Sequence, residues 1–150
     1  MAKNTTAYFL NKQAIQRTTF NSGDGTAPKL IFTPAAEDSW IYDIVITSTS
    51  PDARDATIYM HEVSTSTDIV IKQLLSPNNI LANQGTGASS ANPLRLLQSS
   101  DGNQIIVRFL DRDQNYFIAL PVGWTLRAKI NTAISSGTIT FLVMSRNFDA

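Results

Sequence analysis

The chain has 150 residues, the length of one ordinary domain, and balances 12 basic against 12 acidic residues. Only 16% of residues are charged, against about 25% in an average soluble domain. There is no cysteine, which excludes disulfides, thiolate chemistry and Cys-ligated zinc.

Charge neutrality gives no electrostatic reason to expect nucleic acid or an anionic membrane as partner. A local basic patch from Arg127 and Lys129 stays open. Two glutamates, Glu37 and Glu62, are too few for long solvent-exposed helices, and the polar remainder is the Ser/Thr/Asn/Gln vocabulary of sheets and loops. The first residues, "MAKNTTAYFLNKQAIQ", hold no continuous apolar segment of signal-peptide length, and no stretch is long enough to span a membrane as a helix. Synthesis and folding in a cytoplasm are expected.

Residues 1–27 are expected as an N-terminal arm or edge strand, closed by the turn signal "NSGDGTAP". Residues 28–150 are expected to form a single β-sandwich domain. "KLIF" (29–32) is a short strand. "WIYDIVITST" (40–49) alternates Trp40, Tyr42, Ile44 and Ile46 on one face with Ile41, Asp43, Val45 and Thr47 on the other. "DATIYMHEV" (55–63) and "IVIKQLL" (69–75) follow. Residues 76–103 are a long Gly/Ser/Asn-rich excursion in which "NPLRLLQ" has the pattern of one helical turn.

The last third carries four strands, "QIIVRFL" (104–110), "YFIAL" (116–120), "WTLRAKI" (124–130) and "TITFLVMS" (138–145). From Tyr116 to Ile130 every second residue is apolar, so a one-residue slip would expose the whole set. Short strands with frequent turns and no long helix predict an all-β fold, a jelly-roll-like antiparallel sandwich of two sheets.

Catalytic signals are sparse. The single histidine, His61, sits inside a strand beside Glu62, and neighbouring strand residues point to opposite faces, so Glu62 cannot orient it locally. No nucleophile elbow accompanies any serine or threonine. No enzyme activity is expected, and no cofactor.

Asp111, Asp113 and Asn115 in "DRDQN" space oxygen atoms as the start of a calcium loop does. A full loop requires glycine at its sixth position and glutamate at its twelfth; those positions hold Tyr116 and Val122. The three stay candidate ligands of a looser, water-assisted site. The stronger reading is a hairpin turn, since Asp and Asn bond their own backbone there.

"VITSTS" followed by "ATIYMHE", then "LPVGWTL" and the closing "GTITFLVMSRNFD", resemble the small jelly-roll virion proteins of tailed bacteriophages, over about residues 40–149. The resemblance implies a non-enzymatic head decoration, or cement, protein. Its partner would be the major capsid protein, its assembly a homotrimer, its location the outside of the head. Such a protein stabilises the closed shell by mass action on the assembled state. On that reading Tyr8, Phe9, Leu10 and Phe20 are the capsid-binding residues of the arm. The alternative is a tail-fibre or baseplate jelly-roll module binding a host receptor or glycan.

Overall fold

The computed structural model describes residues 13–34, 38–88, 92–97 and 108–147. Ten strands carry the fold among the described residues. They are β1 (Gln13–Phe20), β2 (Lys29–Phe32), β3 (Ser39–Ser48), β4 (Ala56–Glu62), β5 (Thr67–Leu74), β6 (Leu94–Arg95), β7 (Phe109–Leu110), β8 (Tyr116–Leu120), β9 (Trp124–Ile130) and β10 (Ile139–Asn147). No α-helix occurs among the described residues; Ser22–Asp24 form a single 3₁₀ turn capped by Asn21.

Sheet A runs β1-β10-β3-β8-β7, with the short β6 also on β3, and sheet B runs β2-β9-β4-β5. Every pairing is antiparallel. The chain passes from one sheet to the other at β1–β2, β2–β3, β3–β4, β5–β6, β8–β9 and β9–β10. Those crossings interleave strands from both ends of the chain, which is the jelly-roll arrangement.

The inward faces hold one core, with Ile41, Ile44, Ile46, Phe141 and Val143 of sheet A against Phe32, Ile58, Leu126, Ala128 and Ile130 of sheet B. Each large apolar side chain buried there contributes roughly 1.5–3 kcal/mol. The period-2 stretch is core as expected, with Ile118, Leu120, Leu126, Ala128 and Ile130 all buried. Val122 lies at the exposed turn between β8 and β9.

Three expectations are corrected. The boundary set at residue 28 moves: from Gln13 onward the expected arm or edge strand is an edge strand of the sandwich, because β1 pairs with β10 in unbroken register over eight residues, Gln13↔Arg146 to Phe20↔Ile139. Its other edge is tied to sheet B by side chains. The Gln16 amide donates to the Thr33 carbonyl (2.8 Å) and accepts the Thr33 N–H (3.0 Å), as a strand's peptide group would.

The second correction concerns "NPLRLLQ". Instead of a helical turn it holds β6, with Arg95 and Leu94 opposite Val45 and Ile46 of β3. Leu94, Leu96 and Leu97 are buried, so burial under the sandwich overrides local helix preference. Ile80, in a bridge to Arg54, anchors the earlier part of the excursion.

The third lies in β3. Its register against β10 steps from Met144↔Asp43 to Ser145↔Ile41, leaving Tyr42 as an extra residue in a β-bulge. Alternation therefore inverts at this point. Ile44 and Ile46 point inward on one side of the bulge and Ile41 on the other, while Trp40, Tyr42 and Asp43 stand on the outer face. A bulge re-aims side chains in this way.

Candidate functional site

The outer face of sheet A, around the Tyr42 bulge, gathers the richest set of side chains in the described residues. Trp40 stacks on Phe117 with ring centroids 4.2 Å apart and planes 15° from parallel. Tyr42 and Phe109 lean on the same phenyl ring at 6.1 and 5.9 Å. Cross-strand geometry places these rings: Phe109 pairs with Phe117, and Trp40 sits opposite Ala119, one diagonal step away. Phe109 is left 59% exposed at the rim.

Beside the rings lies a surface cavity of about 280 Å³, bounded by Gln13, Ala14 and Ile15 of β1, Met144–Arg146 of β10, Tyr42 and Asp43, Arg95 of β6 and Asn115. Cross-strand register puts Ile15 opposite Met144 and Gln13 opposite Arg146. Asp43, only 2% exposed, is satisfied on both oxygens. Oδ2 accepts from Arg95 Nε at 2.6 Å, and Oδ1 accepts the backbone N–H groups of Ile44 (3.0 Å) and Leu97 (3.3 Å). Asp43 thereby fastens the 94–97 segment to the sheet. The Arg146 guanidinium lies 4.7 Å from the Tyr42 ring centroid, a cation–π distance.

Asn115, the last residue of the "DRDQN" hairpin turn, borders this cavity. Asp111 Oδ1 accepts the backbone N–H groups of Asp113 (2.9 Å) and Asn115 (2.8 Å), and the Asn115 carbonyl accepts the Asp111 N–H (2.9 Å). Gln114 takes the left-handed conformation, φ 65°, that closes the turn. The carboxylate with calcium-loop spacing is thus engaged with its own backbone, and no group of three or more His, Cys, Asp or Glu side chains among the described residues is placed to hold a metal. We expect about 10 mM calcium, above loop affinities of roughly 1 mM, to leave the melting temperature unchanged. A rise of several degrees would restore the ion-site reading.

The backbone bond from Asn115 is the largest influence holding the Asp111 carboxyl below its usual value, followed by the bond from Asp113 and side-chain bonds from Asn115 and Tyr42, against an opposing desolvation. A carboxyl lowered in the folded state contributes stability that is full above the unfolded value and lost as pH falls through the folded one. The stability gap between the wild type and Asp111→Ala is therefore expected to stay constant down to pH 5 or so and to close below about pH 4. Urea melts across that range measure it, and a gap unchanged at pH 3 would contradict the turn assignment. Burial, then the Asp111 charge, pushes the Tyr42 hydroxyl up from its usual value.

The arm residues fare differently. Tyr8, Phe9 and Leu10 lie outside the described residues. Phe20 is 1% exposed and packs edge-on against Phe141 at 5.4 Å, with the Lys29 ammonium 5.1 Å from its ring centroid. A side chain so enclosed cannot dock on a partner, so Phe20 is corrected from arm residue to core residue. His61 is buried in sheet B, its Nδ1 2.7 Å from Asp68 Oδ1. It faces Thr125 across the β4–β9 pairing, and the enclosed Thr125 hydroxyl has no hydrogen-bond partner among the described residues.

Sequence reading missed Arg95, Arg146, Trp40 and Phe117 as site residues. The one available signal was Asp43, an acid in an otherwise apolar strand. Its partner Arg95 lies 52 residues away.

Among the described residues, no helix is long and apolar enough to cross a membrane. No family model matches the chain, and no curated protein matches it. Among solved structures the chain is similar to the Drosophila NLP core, whose crystal structure is described as giving insight into pentamer formation and histone binding. The match has a TM-score of 0.43 and 9% identity, over 92% of this chain and 100% of that one.

Proposed function

We propose that this protein is a non-enzymatic decoration protein of a bacteriophage head. It binds the major capsid protein as a homotrimer on the head surface and stabilises contacts between capsid subunits. The observation that supports docking is the cluster of Trp40, Tyr42, Phe109 and Phe117 on the outer face of sheet A, with Arg146 over one ring. Tryptophan, tyrosine and arginine are the residues that dominate protein–protein binding energy, and they do so from clustered, water-excluding patches. The virion setting rests on the sequence resemblance of residues 40–149.

Mixing the chain with undecorated heads and pelleting them tests the proposal. The chain is expected in the pellet, and Trp40→Ala is expected to weaken retention roughly 30-fold, the effect of losing a hot-spot side chain. Light scattering on the free chain should give three times its 16.4 kDa mass. A chain that stays in the supernatant but binds host cells or glycans sinks the decoration reading in favour of a receptor-binding tail module.

A further inference from the structure

We propose that the cavity beside the Tyr42 bulge is a carboxylate-binding site, taking one carboxylate group carried on a small apolar body. The acid that lines it, Asp43, is already engaged, and so is Asp111 in the adjoining turn. Asp43 accepts from Arg95 and two backbone amides, and Asp111 accepts from two backbone amides of its own turn. The donors are not used up. Arg95 spends only Nε on Asp43, its Nη groups have no acceptor among the described residues, and its side chain is 53% exposed. Arg146 has no carboxylate partner among the described residues, and its guanidinium lies 4.7 Å from the Tyr42 ring centroid.

Two guanidinium groups thus border one cavity whose lining carboxylate is already engaged, and the complementary ligand group is a planar anion. Arginine forks match carboxylates with paired hydrogen bonds. The rest of the wall sets the body of the ligand. Ile15, Met144 and the Tyr42 ring are apolar, and a volume near 280 Å³ suits a group of about the size of a phenyl ring with a short acid arm. Asp43 plays a positioning part: it is buried, it fixes Arg95 by a 2.6 Å bond, and it ties down the segment that carries Arg95.

The same group has two possible sources, an acidic side chain of a docked protein or a free small acid. Only the first source rests on the decoration reading. Phenylacetate is the probe and phenylacetamide its neutral isostere, followed by amide and arginine Nε resonances of the full chain. Phenylacetate is expected to shift Tyr42, Arg95, Asn115 and Arg146 saturably at millimolar concentration, with phenylacetamide inert.

Arg146→Ala should weaken phenylacetate roughly tenfold, the effect of losing a charge-assisted bond. Arg146→Lys, which keeps the charge without the fork, should recover only part of that. Equal shifts from acid and amide, or no saturable shift, would overturn the assignment.

Pelleting Arg146→Ala with undecorated heads separates the sources. Loss of both activities places the carboxylate on the head; loss of phenylacetate alone identifies a free acid. If the wild type binds phenylacetate but never pellets with heads, the decoration reading falls and the site stands.

Discussion

Phe20→Ala is expected to cost about 3–5 kcal/mol of folding stability, the range for removing a buried aromatic side chain. The side chain is fully enclosed, packs edge-on with Phe141, and is lidded by Lys29, whose ammonium is held by the Thr19 carbonyl (2.8 Å) and Asp24 (2.9 Å). That lid resists collapse, so the cavity left behind would fill poorly. With a urea slope of about 2 kcal/mol per molar, the unfolding midpoint should fall by roughly 2 M. Ile15→Ala, on the same strand but 65% exposed, should change stability by less than about 0.5 kcal/mol. The pair separates core from contact surface within β1. A Phe20→Ala chain that keeps its midpoint while losing its partner would return Phe20 to a docking role.

The second large effect belongs to Asp43. Asp43→Ala should destabilise the domain by about 3 kcal/mol, because it removes one carboxylate that serves an arginine and two backbone donors at a buried position. Asp43→Asn keeps an acceptor for the N–H groups of Ile44 and Leu97 and should cost less. Arg95→Ala should cost about 1 kcal/mol, since water reaches its half-exposed head. Hydrogen exchange gives a local readout: in Asp43→Ala the Leu97 amide should lose protection, while the β4–β9 amides of sheet B keep theirs. If Arg95→Ala proved as costly as Asp43→Ala, the ion pair rather than the backbone bonds would hold the 94–97 segment.

Strand positions were readable where a short apolar or alternating run is bounded by turn residues. "KLIF", "YFIAL" and "WTLRAKI" are β2, β8 and β9 to the residue, the first two as nearly continuous apolar runs and the third by a period of two. The "DRDQN" turn was readable for a similar reason, its Asp and Asn side chains serving backbone groups a few residues away. Interactions that close within one hairpin leave their mark in a short window of sequence.

Other features had no such mark. β1 alternates weakly and is a strand because β10, more than a hundred residues later, supplies its hydrogen bonds. Leu94 and Arg95 form β6 because β3 offers them an edge and the core accepts their leucine neighbours. The inversion at Tyr42 exists because β10 pairs in one register below the bulge and another above it, and no property of "WIYDIVITST" announces which residue will be extra.

The candidate site depends on all of these at once. Trp40, Tyr42 and Asp43 face outward together through the bulge, Arg95 arrives on β6, Arg146 on β10, and Asn115 on the β7–β8 turn. The composition and the alternation of apolar residues were enough for the two-sheet fold, since burying one face of each strand is a local requirement repeated along the chain. The site came from pairing between distant segments, because hydrogen-bond register, unlike alternation, is a property of two strands and is written in neither.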